Sequence, residues 1–489
     1  MATVSKGNFI AGRWIKGKGR SFSSENPSNN QIIWTGNCST PQEIDVAIVA
    51  AHEAFASWSK LDVEKRISYL QSFVDVLKVR KADLATKISI EIGKPQWEAL
   101  TEIGAMIGKI DPTIQAYRER NIVKTRQQPN GTSITRFRPH GIVAVIGPFN
   151  FPGHMPNGHI MPALLAGNSV ILKPSEYAPA FTEQMIDCWN NAGLPPGVIS
   201  LLQGDGTVGQ YLCKHDDING IFFTGSRHVG EAIRTTTSVE KIVALEMGGN
   251  SPLIVWDASN INAAVFATIQ SAFITSGQRC SSARRLIIPN NNFGETFISK
   301  LVESCRQIHV GRPDEEPEPY MGPLRLPAFV DRLLSEQERL ISNGAQSLLK
   351  AEPLEIGPSF VTPGIIDVTQ VNQRNDEEII GPLLRVIRVD DFESALVEAN
   401  STKYGLAAGI FTEDATLYNR FQDTIKAGII NWNQQLTGAS GWAPFGGIKQ
   451  SGNYRPSAYF ATDYCVYSTA SMEMEQLSLP DKLPSGLIL

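Results

Sequence analysis

The chain has 489 residues, 42% hydrophobic and 19% charged, and a formal net charge of −5 at pH 7. This length is too great for one hydrophobic core and predicts two or three domains. A slightly acidic chain without a basic run argues against a nucleic-acid partner, and the lack of a long apolar run argues against a membrane span.

The six cysteines, at positions 38, 188, 213, 280, 305 and 465, lie far apart in the sequence. No Cys-x-x-Cys pair occurs, so we expect neither a zinc site nor a disulfide framework, and no metal. The segment Met1–Lys6 lacks the apolar core of a signal peptide. These features favour a reducing cytoplasm as the location of the protein.

Residues 42–117 are predicted to be helical, because apolar residues recur there at helical spacing. From residue 141 onward, short β-rich apolar runs alternate with helical stretches, which predicts parallel sheets with right-handed crossovers. The predicted strands are Ile142–Ile146, Ser169–Leu172, Val198–Leu202, Gly220–Phe223, Leu253–Val255, Leu286–Ile288 and Leu383–Val389. The fold class is therefore α/β, with two such domains.

A β-hairpin is predicted within residues 120–140. Two alternating runs, Val123–Gln128 and Ser133–Arg138, flank Asn130-Gly131, and both of these residues tolerate the positive φ of a tight turn. Because a two-stranded hairpin is marginal alone, it must pack on another element. The segment Asp463–Thr469 is a candidate partner strand.

Three residue types that support covalent catalysis stand in separate turn-like segments. Cys280 follows an apolar helical run, and its neighbour Arg279 is expected to favour the thiolate. Glu246 precedes two glycines and suits a movable general base, while Asn150 can donate to an oxyanion. Together they indicate a nucleophile, a base and an oxyanion donor.

Two glycine motifs compete for a dinucleotide. Gly204–Gly209 is a literal GxGxxG between a strand and a helix, but the acidic residue expected about twenty positions later is at best Glu231, which is predicted to be helical. Thr224–Gly230 also leads from a strand into a helix, whose N-terminus suits a phosphate. The pattern alone leaves both open.

The chain resembles the NAD(P)-dependent aldehyde dehydrogenases along nearly its whole length. Seven segments in family order carry the resemblance: Gly147–Pro152, Lys173–Glu176, Phe223–Ser226, Glu246–Asn250, Gly277–Cys280, Glu378–Pro382 and Pro444–Gly447. The resemblance implies two Rossmann-like α/β domains, one binding cofactor and one catalytic, plus a small β oligomerisation arm. It also implies a homodimer or a dimer of dimers.

The resemblance also places the domain boundaries. Residues 1–119 with 141–248 and about 448–461 form the expected NAD-binding domain, and 249–447 the catalytic domain. Residues 120–140 with 462–489 form the expected oligomerisation arm.

The mechanism that the resemblance implies begins with attack of the Cys280 thiolate on an aldehyde. The Asn150 amide and the Cys280 N–H hold the oxyanion, hydride leaves to the nicotinamide, and Glu246 activates a water that hydrolyses the thioester. Losing one oxyanion donor typically costs about 10²–10³ in rate.

The resemblance assigns the cofactor contacts as well. Gly225, Ser226 and Gly230 form the expected pyrophosphate turn, so the second glycine motif is favoured over the first. Lys173 and Glu176 are expected at the adenosine ribose, where a Glu176 carboxylate would repel a 2′-phosphate and favours NAD over NADP. Glu378 is expected at the nicotinamide ribose, although Ile380 stands where the family usually has an aromatic residue.

Within the family, the segments Gly153–Ile160, Gly452–Tyr459 and Ala461–Cys465 resemble the enzymes of bacterial arginine catabolism that act on succinylglutamate semialdehyde. The expected substrate is therefore a small anionic semialdehyde. Its expected donors share a position near the family motifs and are His154, His159, Arg279, Arg455 and the loop residues Gly438, Ala439 and Ser440.

Three alternatives remain open from the sequence. The first is another semialdehyde dehydrogenase, for succinate or glutamate semialdehyde. The second is a non-catalytic structural or binding protein on the same fold, against which the intact Cys280, Glu246 and Asn150 argue. The third is an enzyme that passes its thioester to coenzyme A, against which Glu246 argues, because hydrolysis needs a base.

Overall fold

Two mainly parallel seven-stranded sheets organise the computed structural model, which describes residues 2–129, 131–480 and 482–489. In chain order, the strands are β1 (Thr3–Val4), β2 (Asn8–Ile10), β3 (Arg13–Ile15), β4 (Ser21–Glu25), β5 (Ile32–Asn37), β6 (Lys124–Gln128), β7 (Gly131–Pro139), β8 (Ile142–Ile146), β9 (Ser169–Lys173), β10 (Ile199–Leu201), β11 (Gly220–Gly225), β12 (Ile242–Met247), β13 (Ser251–Val255), β14 (Ala283–Pro289), β15 (Gln346–Leu349), β16 (Gly364–Asp367), β17 (Leu383–Val389), β18 (Ala407–Phe411), β19 (Ile429–Trp432), β20 (Pro444–Phe445), β21 (Ser457–Ala458) and β22 (Val466–Glu473).

The helices cover the faces of these sheets. They are α1 (Pro41–Trp58), α2 (Val63–Val79), α3 (Lys81–Ile92), α4 (Gln96–Ile107), α5 (Ile110–Arg120), α6 (His154–Ala166), α7 (Pro179–Asn191), α8 (Gly206–Lys214), α9 (Arg227–Thr236), α10 (Ile261–Ala272), α11 (Asn292–Arg306), α12 (Pro327–Ser342), α13 (Phe392–Asn400), α14 (Ala415–Thr424) and α15 (Ala461–Tyr464). Short 3₁₀ turns lie at Ile274–Gly277 and Lys449–Ser451. Among these helices, none is both long and apolar enough to cross a bilayer.

The first large sheet has the strand order β12-β11-β8-β9-β10-β2-β3 and is parallel from β12 to β10. The strands β8 and β9 are buried at every residue, as in a parallel sheet covered on both faces. The apolar stripe of α2 packs beneath this sheet, where the Phe73 and Trp189 rings stack at 3.6 Å between centroids. The predicted helical stripe is thus confirmed as core.

The second large sheet has the order β15-β16-β17-β14-β13-β18-β19, and only its edge strand β15 is antiparallel. Successive residues of β13 point to opposite faces. Leu253 and Val255 pack with α10 and α11, while Ile254 packs with α12, α13 and α14. This alternation places a separate core on each side of the sheet.

The predicted hairpin is present as β6 and β7, which pair antiparallel, although the turn residue Asn130 lies outside the described residues. The third strand of this sheet is β22, which pairs with β7 along its full length. It begins at Val466 rather than at Asp463, because residues 461–464 form the helical turn α15. The outer strand β6 is exposed throughout.

The predicted α/β class with two sheet domains and a β arm is confirmed, while the exact domain boundaries stay a prediction. The N-terminal strands β1 to β5 were not predicted. They are two to six residues long, too short to establish a clear alternating pattern, and β2 and β3 extend the first sheet antiparallel.

Candidate active site

A cavity of about 1120 Å³ lies between the two large sheets. Its floor includes the chain segments that follow β8, β9, β11 and β12, which are carboxyl ends of parallel strands. Because β8 pairs with β9 on one side and β11 on the other, the winding of the sheet reverses there. A crevice at such a reversal is the usual ligand site of an open α/β sheet.

Cys280 borders this cavity on a loop with unusual backbone geometry. Thr275, Ser276 and Gly277 all have positive φ, and a Cβ on Gly277 would overlap the carbonyl of Gly381. The turn is held by the Ser276 hydroxyl, which donates to the Gly322 carbonyl at 2.7 Å. This strained turn fixes the position of Cys280.

The Cys280 thiol is half-buried and rests in its neutral form. Burial, with the nearby carboxylates of Glu378 and Glu246, raises the pKa of Cys280 to about 12. The expectation that Arg279 favours the thiolate is wrong for this state. The Arg279 guanidinium turns away and pairs with Glu98 at 3.0 Å.

Asn150 lies beside the Cys280 loop, where its side-chain amide donates to the Gln278 carbonyl at 2.7 Å. The Gln278 side chain in turn accepts from the Arg325 N–H at 2.9 Å. The predicted oxyanion donor and the predicted nucleophile therefore border the same cavity within one hydrogen-bonded loop.

Glu246 lies near the end of β12 and borders the cavity. The sequence instead predicts it on a tight turn of its own. Its Oε1 accepts from the Ser457 N–H at 3.2 Å, while its buried Oε2 has no partner among the described residues. Burial raises the pKa of Glu246 well above its ordinary value. A carboxyl group that holds its proton more tightly than usual and has one free oxygen suits proton transfer.

Lys173 and Glu176 lie at the carboxyl end of β9, with Lys173 Nζ 3.5 Å from Glu176 Oε2. Lys173 is buried, which lowers the pKa of its ammonium, and the neighbouring Glu176 partly offsets this. Glu176 is partly exposed toward the cavity and can accept from a hydroxyl.

Gly225 and Ser226 lie where β11 gives way to α9, and both border the cavity. The Ser226 side chain caps α9 by accepting from the Val229 N–H at 3.5 Å. Gly230 does not border the cavity. Its missing side chain lets α9 pack against Met247 instead.

The competing motif also reaches the cavity. Gly206, Gly209 and other residues of α8 border it opposite α9, and Asp205 caps that helix at the Thr207 N–H. Glu231 is not at a strand end but pairs with Arg227 on the surface of α9. The two motifs therefore build two walls of one crevice.

Glu378 and Ile380 border the cavity on the side of the second sheet. Burial raises the pKa of Glu378 to about 6, and the charge of Arg284 opposes that rise. A Cβ on Gly248 would overlap the Glu378 carboxylate, so the glycine after β12 leaves space for this side chain.

The loop 437–441 and Arg279 form the opposite wall. Arg279 donates to the Thr437 carbonyl at 2.9 Å and to Thr275 Oγ1 at 2.7 Å. Gly438, Ala439 and Ser440 border the cavity, and their exposed backbone leaves N–H groups for a ligand. Arg279 thus ties the nucleophile loop to this wall.

Two residues predicted at the substrate lie elsewhere. His159 is buried in α6, with Nδ1 2.7 Å from the Tyr464 hydroxyl and Nε2 3.1 Å from Thr224 Oγ1. Arg455 is exposed and does not border the cavity. His159 is thus a structural residue and Arg455 a surface residue, which corrects the prediction that they bind the substrate. His154, in contrast, does border the cavity.

The cavity also contains residues that the sequence analysis missed, above all Lys109 and Glu102. Glu102 accepts from the Gly153 and His154 N–H groups and pairs with the buried Lys94 at 2.7 Å. No motif signals these positions, because they enter the site from α4 and from the junction of α4 with α5. Among the described residues, no cluster of His, Cys, Asp and Glu could hold a metal.

The chain matches the model of the aldehyde dehydrogenase family over residues 14–469. It is 47% identical to an N-succinylglutamate 5-semialdehyde dehydrogenase from Pseudomonas fluorescens, over 98% of this chain and 99% of the other. An enzyme of the same name from Chromobacterium violaceum is 46% identical over 98% and 99% of the two chains.

The solved structures extend the likeness to the fold. An indole-3-acetaldehyde dehydrogenase variant from P. syringae, solved with NAD⁺ and IAA, is 29% identical, with a TM-score of 0.90 over 96% of each chain. The chain belongs to the aldehyde dehydrogenase family.

Proposed function

We propose that this protein oxidises N-succinyl-L-glutamate 5-semialdehyde to N-succinyl-L-glutamate with NAD, in arginine catabolism through the succinyltransferase pathway. The observation that carries the proposal is the meeting of Cys280, Asn150 and Glu246 in one cavity that also has cationic side chains. Two curated relatives that match over 98% of the chain bear the name of this activity.

In this proposal the Cys280 sulfur attacks the aldehyde carbon and forms a thiohemiacetal. Asn150 and the Cys280 N–H donate to the oxygen that becomes negative. The Asn150 amide bonds to the Gln278 carbonyl in the resting site, so it is already held beside the nucleophile. Such preorganised donors lower the barrier because they need no reorientation during the reaction.

Loss of hydride from the thiohemiacetal carbon to the cofactor gives the thioester, and Glu246 then removes a proton from the water that hydrolyses it. Its free Oε2 is available to that water, while the Ser457 N–H holds Oε1. The reaction consumes one water and returns Cys280 as a thiol. A base is required at this step, which favours hydrolysis over transfer of the acyl group to coenzyme A.

The cavity has the donors and acceptors that NAD requires. Glu176 would accept from the adenosine ribose hydroxyls, the N-terminus of α9 after Ser226 would face the pyrophosphate, and Glu378 would hold the second ribose. When bound, NAD supplies the acceptor for the hydride that leaves the substrate carbon. The carboxylate of Glu176 disfavours the 2′-phosphate of NADP by charge repulsion.

NADH formation measured across a panel of aldehydes tests the proposal. The panel includes the N-succinylglutamate, glutamate and succinate semialdehydes and propanal. We expect kcat/KM to be highest for the succinylated substrate, by about a hundredfold or more over propanal if two charged contacts contribute. A higher value for succinate or glutamate semialdehyde would instead support the second candidate, a related semialdehyde dehydrogenase.

The proposal includes a cytoplasmic location and a small-molecule substrate, without nucleic-acid or membrane partners. It also includes a homodimer or dimer of dimers that assembles through the arm β6, β7 and β22. The exposed edge of β6 supports this assembly, because an unpaired strand edge is a template for pairing.

A further inference from the structure

Lys109 is placed in the cavity by the junction of two helices. It directly precedes α5, and its backbone carbonyl accepts from both the N–H and the hydroxyl of Thr113. A Cβ on Gly158 would lie 3.2 Å from Lys109 Nζ, so the ammonium rests against α6 where that helix has no side chain.

The Lys109 ammonium has no carboxylate partner within residues 2–129, 131–480 and 482–489. Burial alone lowers the pKa of Lys109 to about 8, so the group keeps its charge at neutral pH. The neighbouring cations differ in this respect, because Lys94 pairs with Glu102 and Arg279 with Glu98. Lys109 therefore presents a charge to the cavity that no described carboxylate neutralises.

His154 adds a second unpaired polar group at the same wall. Its Nδ1 is buried and has no hydrogen-bond partner among the described residues. Burial lowers the pKa of His154 well below its ordinary value, with added repulsion from Lys109, Lys94 and Arg279, so the ring is neutral. A buried polar atom without a partner is costly, and one on a cavity wall can be satisfied by a ligand.

We propose that Lys109, with His154 beside it, binds the terminal carboxylate of the succinyl group, an assignment that rests on the proposed function. The substrate has two carboxylates, and the cavity has two separate sets of donors. The loop 437–441 offers backbone N–H groups for the α-carboxylate. Lys109 and that loop both border the cavity, and Gly441 of the loop is close to Pro112 of α5.

The two sets of donors explain how the site distinguishes the succinylated substrate from glutamate semialdehyde itself. The loop would serve either molecule, because both have an α-carboxylate. Only the succinylated molecule has a second anionic end that can reach the unpaired ammonium. Lys109 is accordingly a specificity-determining residue rather than a catalytic one.

The test compares two substrates that differ only at the distal end. N-butanoyl-L-glutamate 5-semialdehyde has a methyl group where the succinylated substrate has its terminal carboxylate. We expect wild type to prefer the succinylated substrate in kcat/KM. Lys109→Met should lower kcat/KM for that substrate by about tenfold to a hundredfold and leave the butanoyl substrate nearly unchanged. Lys109→Arg should retain part of the preference.

An unchanged preference in Lys109→Met, or an equal loss on both substrates, would overturn the assignment. If wild type oxidises the succinylated substrate no better than propanal, the proposed function itself fails, which is a distinct result. Propanal oxidation reports whether each variant is folded. If Lys109→Met does not fold, inhibition of propanal oxidation by N-succinylglutamate and N-butanoylglutamate, in wild type and Lys109→Arg, decides the question. Equal inhibition by the two compounds in wild type would then overturn the assignment.

Discussion

At the scale of single residues, burial in the site raises the pKa of both the proposed nucleophile Cys280 and the proposed base Glu246. The Glu246 carboxylate adds to the rise at Cys280, whereas the Ser457 N–H opposes the rise at Glu246.

Cys280→Ala should abolish aldehyde oxidation and leave NAD binding nearly intact, because the cofactor residues lie on other elements. Turnover and the dissociation constant for NAD measure the two effects. Cys213→Ala is a matched control, since Cys213 also borders the cavity but lies on α8. Substantial turnover in the Cys280 variant would remove it from the nucleophile role.

Glu246→Gln should slow deacylation more than acylation. Rapid mixing should therefore show a burst of NADH followed by a slow steady rate. An equal loss in both phases would exclude Glu246 as the hydrolytic base.

The wild-type deacylation rate should depend on the ionisation of Glu246. Because burial raises the pKa of Glu246 and the base works deprotonated, the rate should rise with pH through a value well above that of an ordinary glutamate. Single-turnover decay of the thioester measures this rate. A rate already constant from the ordinary glutamate pKa upward would contradict the assignment.

At the scale of elements, the turn after β12 controls the space for Glu378. Gly248→Ala would place a methyl group on the Glu378 carboxylate, so the side chain must move. We expect KM for NAD to rise by about tenfold, the loss of one charged hydrogen bond. Gly104→Ala is the control, since its nearest neighbour would be 3.9 Å away. Equal KM values would show that Glu378 does not contact the cofactor.

Sequence patterns identified the elements whose burial is uniform. The sequence predicts a strand at Ile142–Ile146 with the bounds of β8, because an all-apolar run of five residues suits a central parallel strand. Sequence patterns give wrong predictions where tertiary packing decides which side chains are exposed. His159 is predicted at the substrate, but in the folded chain its ring is buried between Tyr464 and Thr224. From the sequence alone Lys109 is expected on the surface, because no pattern predicts that α6 packs against it.

At the scale of the whole molecule, the arm extends from the first domain as a three-stranded sheet. Deleting residues 124–137 should give monomers or aggregates, because β22 would lose its partner and the edge of β6 would disappear. Sedimentation velocity measures the change. An oligomer of unchanged mass would show that the arm is only a surface flap.

The neutral Cys280 thiol has a consequence for the chemical durability of the protein. Because its pKa lies far above neutrality, only a very small fraction of the thiol is ionised at pH 7. Peroxide and alkylating agents react with the thiolate, so an idle molecule is shielded from both. We therefore expect the group that reacts with aldehydes to persist between turnovers.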